Sequence, residues 1–155
     1  MPPRRYDEIG PFSATFLVEV DGHPVGEFAE VSGLELTVDT SDEYEEGGQN
    51  GYVHKLPGRI SWPNLVLKRG VTENHELLDW VMRSSGEGFA AGGNRVERTT
   101  AAVTLVAPDG TRLRAWEFED AFPVRWSGPN LSAGSADPAI EELEIAHHGF
   151  RARDV

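Results

Sequence analysis

Along most of this chain apolar and polar residues alternate with a period of two, and only once does the period lengthen to that of a helix. From Ser13 to Val20 the alternation places Ala14, Phe16, Val18 and Val20 on one face, which predicts a strand half-buried in a core. Asp21-Gly22 supplies turn chemistry, so Val25 to Val31 is predicted to return as the antiparallel partner. After Ser32-Gly33, Leu34, Leu36 and Val38 alternate with Glu35, Thr37 and Asp39, a third strand that would complete an N-terminal meander. Tyr52 to Leu56 and Asn64 to Lys68 read as two more strands, separated by a Pro57-Gly58 turn.

The helical period comes next. Thr72 is placed as an N-cap, Glu73 and Glu76 favour a helix start, and Leu77, Leu78 and Val81 recur at helical spacing with Trp80 beside them. A helix from about Glu73 to Arg83 follows, ended by a glycine-rich loop over residues 84–95. Thr99 to Val106 and Arg112 to Glu119 form a hairpin around Pro108-Asp109-Gly110. Ala121 to Trp126 is a short strand whose Pro123 assigns it to an edge or a kink. Residues 128–137 are a polar loop, and Ile140 to Ile145 begins a last strand extending through His148. The predicted fold is mainly β: an antiparallel sandwich or barrel with one flanking α-helix.

One stretch fits neither period. Between Thr40 and Gly51 only Tyr44 is large and apolar, and Gly47, Gly48 and Gly51 make the backbone costly to order. The segment from Ser41 to Gly58 carries an acidic half, Asp42 to Glu46, and then a basic and apolar half with His54, Lys55 and Leu56. A long polar loop in a compact β domain either has a function or stays mobile. This charge layout suits contact with a neighbouring copy of the same chain.

Composition narrows the function classes. At 155 residues the chain has the length of a single domain, residues 1–155, with residues 1–11 as an N-terminal arm carrying three prolines. A formal net charge of −12 argues against recognition of nucleic acid through a basic surface. There is no cysteine, so disulfides and thiolate-ligated zinc are excluded. The first residues lack the apolar run of a signal peptide and no window is long enough for a membrane span, so synthesis and assembly in the cytoplasm are expected, without membrane insertion.

Catalytic signatures are weak. His75-Glu76-Leu77-Leu78-Asp79 approaches a zinc-hydrolase pattern, with His75 and Asp79 one helical turn apart and Glu76 as base, but no third ligand is visible. A capped surface turn explains the same residues. His147 and His148 are adjacent on a strand and point to opposite faces, so they cannot chelate together. Gly47, Gly48 and Gly51 lack the Gly-Lys-Ser/Thr ending of a phosphate loop. Trp80 reads as core and Trp116 and Trp126 as half-buried strand positions, leaving Trp62 beside Pro63 as the exposed aromatic on which a carbohydrate- or peptide-binding module would rest. No enzyme activity, cofactor or metal is expected.

Several pieces in collinear order resemble the tail-tube proteins of contractile injection systems, meaning contractile phage tails, R-type bacteriocins and extracellular phage-like injection particles. They are Phe16-Leu17-Val18-Glu19-Val20-Asp21-Gly22, Phe28 with Glu30-Val31-Ser32-Gly33-Leu34, Tyr44-Glu45-Glu46-Gly47-Gly48, Lys55-Leu56-Pro57-Gly58, Asn64 to Thr72, Leu78-Asp79-Trp80 and Ala121-Phe122-Pro123. The likeness covers about residues 12 to 150. It implies a tail-tube fold whose copies form hexameric rings, stacked into a hollow tube inside a contractile sheath. The implied partners are further copies of itself, the sheath protein, baseplate or spike-hub proteins, tube-initiator or terminator proteins, and protein cargo in the lumen. Main tube proteins and tube initiators share these motifs, and the finished particle either stays inside its producer or is released. The family's long inter-subunit loop maps onto residues 41–58, giving Asp42, Glu43, Tyr44, Glu45, Glu46, Gly47, Gly48, Asn50, Tyr52, His54, Lys55, Leu56, Pro57 and Gly58 as expected contacts. The competing reading is a monomeric β-sandwich that binds a carbohydrate or peptide.

Overall fold

The computed structural model describes residues 14–40, 43–44, 54–73, 75–85, 98–134 and 138–155. Strands β1 (Thr15–Val20) and β2 (His23–Phe28) form the predicted hairpin, joined by Asp21 and Gly22 at φ 51° and 77°. Two consecutive positive-φ residues match the right-handed twist of the strands, which is why Asp-Gly works here.

The predicted meander does not form. The chain leaves β2 at Phe28, crosses Ala29, and enters β3 (Glu30–Ser32), which pairs with β8 (Leu65–Gly70) and not with β1. Ala29 itself donates its N–H to the Lys68 carbonyl at 2.9 Å. Gly33 makes the departure possible: at φ 93° it lies so close to the Asn64 carbonyl that any Cβ would collide with it. Periodicity reports which face a strand buries, but not which partner it pairs with.

The remaining ladder is antiparallel. In the order β2-β1-β9-β10-β11-β8-β3, β9 (Thr99–Val106), β10 (Arg112–Ser127) and β11 (Ile140–Ala146) occupy the centre, and β12 (Phe150–Arg153) also pairs with β10. The two strands expected over 112–126 are one strand, bent where Asp120 takes φ 49° and the register shifts between Phe118 and Ala121. Its first half pairs with β9 and β12 and its second half with β11, so β10 belongs to both layers of a sandwich. Pro123 sits at a second register shift, in keeping with the kink predicted there. The hydrogen-bonded path is not closed, yet its two end strands are consecutive in the chain. Val18, Phe28, Val103 and Phe118 from one layer meet Leu65, Leu67, Leu143 and Ile145 from the other in the core.

Helix α1 (Glu76–Ser84) packs Leu77, Trp80 and Ser84 inward and lies against β10. It starts three residues later than predicted, with His75 in place of Thr72 at the N-cap and no side-chain cap. The Val71 N–H is bonded to the Ala139 carbonyl at 3.1 Å, which holds the preceding residues to the sheet end. At the other end Ser84 and Ser85 hydroxyls donate to the carbonyls of Trp80 and Val81, terminating the helix with side-chain bonds.

Candidate assembly surface

The third predicted strand became the base of an arm. β4 (Thr37–Val38) pairs with β7 (Ile60–Ser61), and further out β5 (Glu43–Tyr44) pairs with β6 (His54–Lys55). The register is common to both: five residues on from Val38 is Glu43, and five back from its partner Ile60 is Lys55, which faces Glu43. The two short ladders thus share one register and together form the described part of the arm.

Val38 and Ile60 are paired across β4 and β7, and Leu36 and Leu56 flank the same ladder in the chain. Leu36, Val38, Leu56 and Ile60 are 52%, 41%, 47% and 48% exposed, so this group carries no cover in the single chain. Four exposed aliphatic side chains at and beside one short ladder make an apolar surface of the kind that marks an interaction site. Sequence reading placed Leu36 and Val38 on the apolar side of a third meander strand. Ile60 carried no periodic signal of its own and was missed.

Of the expected contact residues, Glu43, Tyr44, His54 and Lys55 are brought together as β5–β6, while Leu56, Pro57 and Gly58 line the exposed return. Asp42, Glu45, Glu46, Gly47, Gly48, Asn50 and Tyr52 lie outside the described residues. Gly58 donates to the Asp39 carbonyl at 2.6 Å, and a Cβ there would stand 2.9 Å from that oxygen, so this turn closes tightly only with glycine.

Where the arm meets the sandwich, Trp62 is half-buried. Its ring packs edge-on against Phe150 at 5.0 Å and His147 at 6.3 Å. It is not the exposed platform expected from its place beside a proline, because β12, which sequence reading did not separate from β11, supplies Phe150 to cover it. His147 sits between Trp62 and Phe118; its Nε2 donates to the Pro63 carbonyl at 3.1 Å and its Nδ1 accepts from Gly149 N–H at 3.0 Å. Burial pushes its pKa below the usual histidine value, against the raising effect of the two backbone bonds. His148 points away toward Asp120 and Arg98, so the pair does not converge, but the strand predicted through His148 ends at Ala146 and the two rings diverge in the turn that Gly149 (φ 121°) makes into β12.

The helix-start triad does not converge either. His75, Glu76 and Asp79 are exposed on the first turn, and among the described residues no three acidic, His or Cys side chains form a metal-binding group. On the outer face Arg125 bridges Glu142 and Glu144, with Lys68 and Asn64 adding to the same carboxylates. The hydrogen bonds from Arg125 and Asn64 hold the Glu144 carboxyl below its ordinary pKa.

A two-layer antiparallel sandwich with a flanking helix and an apolar arm left uncovered defines a structural β subunit of the tail-tube type. The family profile described as T4-like virus tail tube protein gp19 matches residues 13–151, and the chain belongs to that family. It is similar, at 28% identity and TM-score 0.74 over 98% of this chain and 99% of the other, to a chain in the cryo-EM structure of an extracellular contractile injection system, the PVC sheath-tube complex in its extended state. A chain of the PVC sheath/tube terminator in its extended state is also 28% identical, with TM-score 0.71 over 99% of this chain and 98% of that one. Hcp1 from Flavobacterium johnsoniae shares the fold at 18% identity and TM-score 0.50, over 89% and 94% of the two chains. Comparison with curated proteins finds no match.

Proposed function

We propose that this chain, acting as one unit over residues 1–155, is a non-enzymatic subunit that forms hexameric rings stacked into the hollow inner tube of a phage-tail-like injection particle. The tube is the conduit or carrier for cargo that sheath contraction drives out. The observation that carries the reading is the exposure of Leu36, Val38, Leu56 and Ile60 at and beside the β4–β7 ladder, which a ring neighbour would cover. Residues 41–58 then contact the adjacent copy through this arm. The near-complete overlap with chains from a sheath-tube complex and a sheath/tube terminator of an extracellular particle supports a sheath protein and a terminator as partners, to which the reading adds baseplate components. No helix among the described residues is long and apolar enough to cross a membrane. A carbohydrate-binding reading loses its platform, since the Trp62 ring is engaged by Phe150 and His147.

Negative-stain microscopy of the purified chain, alone and seeded with baseplate assemblies, tests the reading. Six-fold rings or tubes are the expected result. A particle that stays monomeric even when seeded, and that a glycan or peptide stabilises against heat, would sink it.

A further inference from the structure

At the Gly70 end of β8 a groove of about 380 Å³ opens on the outer face of the sheet. Its lining combines the cross-strand row Lys68, Glu142 and Ser127 with Pro129, Pro138 and Ile140. Ile140 is exposed, as is Val71, which is tied to the same place by its N–H bond to the Ala139 carbonyl. Leu131, next to the lining residue Asn130, is 84% exposed. Ten large apolar side chains are exposed among the described residues: four belong to the arm and three to this surface, while Met82, Val124 and Val155 lie on α1, on β10 and after β12. The groove and its rim are therefore a second apolar surface, distinct from the arm.

We propose that this groove seats the arm of a neighbouring copy, with Val38 and Ile60 entering beside Ile140 and Leu131. The inference rests on the ring reading and names the surface that receives the arm. Symmetry demands such a surface. An arm that met its own equivalent would form an isologous contact, which closes at two copies, whereas a ring of six needs a heterologous contact between two different surfaces of each copy.

Position supplies the second argument. Both legs of the arm leave the sandwich at the Leu65 end of β8, where Gly33 lies against the Asn64 carbonyl. The groove lies at the other end, where Ile140 pairs with Gly70, about 17 Å away along the strand. Each copy thus carries the arm and the groove at opposite ends of one strand, the layout of a head-to-tail contact. Both surfaces are exposed in the single chain, so an arm does not cover its own groove. Charge agrees with the pairing. Lys68 stands 3.9 Å from Glu142, whose carboxylate also meets Arg125, and Glu35, exposed beside Leu36, would bring a carboxylate to the same lysine.

The chain has no cysteine, so introduced ones give an unambiguous readout. Val38→Cys chains and Ile140→Cys chains, co-assembled and treated with a short bismaleimide, are expected to give a covalent dimer, and the double variant a ladder that ends at six. Leu131→Lys with Ile140→Lys should leave the circular dichroism of the monomer unchanged and raise the concentration needed for tube growth about tenfold, equivalent to about 1.4 kcal/mol. Adding Val38→Glu and Ile60→Glu to that variant should restore growth. Tubes that form from the cysteine mixture without the cross-link, or that grow normally from the lysine variant, overturn this seat while leaving the conduit reading intact. Failure of the wild type to assemble when seeded overturns the conduit reading, and this proposal with it.

Discussion

Arg69 and Glu141 face each other across β8 and β11, each 5% exposed, with Arg69 Nε 3.1 Å from Glu141 Oε2. Trp126 Nε1 donates to the other carboxylate oxygen at 2.8 Å, and the guanidinium lies over the Phe28 ring at 5.1 Å. A Cβ on Gly26 would collide with the same guanidinium, so β2 comes this close to β8 only because position 26 is glycine. The pair thus links four strands, β2, β8, β10 and β11, at the side of the sandwich where the ladder is open. Removing one partner leaves an uncompensated buried charge: Glu141→Ala should lower stability by about 3–5 kcal/mol in chemical denaturation. Arg69→Met with Glu141→Leu should cost much less than the sum of the single changes, because the double variant strands no charge. His147 provides a second test at this scale. Its pKa is lowered on folding, so its contribution is fully present above the unfolded value near 6.5 and fades as pH falls toward and through the depressed folded value. Thermal melts at pH 7.5 and pH 5 should show a loss on acidification that His147→Gln reduces. A pH dependence identical in the variant would remove His147 as its source.

At the scale of the element, the arm separates folding from assembly. Leu36 and Ile60 contribute little to the core, so Leu36→Ser with Ile60→Ser should change subunit stability by less than about 0.5 kcal/mol per site, yet stop ring formation in negative stain. Loss of folding in that variant, or normal tubes from it, would contradict an arm that is apolar for a partner's sake. Its acidic half should behave alike: Glu45→Lys with Glu46→Lys is expected to leave the circular dichroism of the monomer unchanged and impair assembly. The helix illustrates the limit of local rules. Trp80 and Leu77 were legible from their spacing, but the helix start was not, because a backbone bond from Val71 to Ala139 outweighs the capping preference of Thr72.

For the molecule as a whole, charge is the dominant constraint. Six copies at −12 each would place −72 formal charges on one ring. That figure already counts Arg125, Lys68, Arg112 and Arg151, which meet carboxylates on the outer strand faces. The excess must face water or basic groups of neighbours, and a bore lined with acidic groups would keep acidic cargo from adhering. Cryo-EM of the assembled tube should therefore show a negative lumen, and a neutral or basic one would refute this placement.

What the sequence determined by itself was local: the Asp21-Gly22 and Pro108-Asp109-Gly110 turns, the alternation of β1, β9 and β11, the apolar stripe of α1, and the arm as a segment unable to bury itself. These follow from turn chemistry and side-chain period, which act between near neighbours. Pairing was decided only in three dimensions. That β3 joins β8, that β10 serves two layers, that β12 covers Trp62, and that Val38 pairs with Ile60 away from the main sheet all depend on residues distant in the chain. A period of two states that a strand has an apolar face, and only the packed fold decides whether its own core or another molecule covers it.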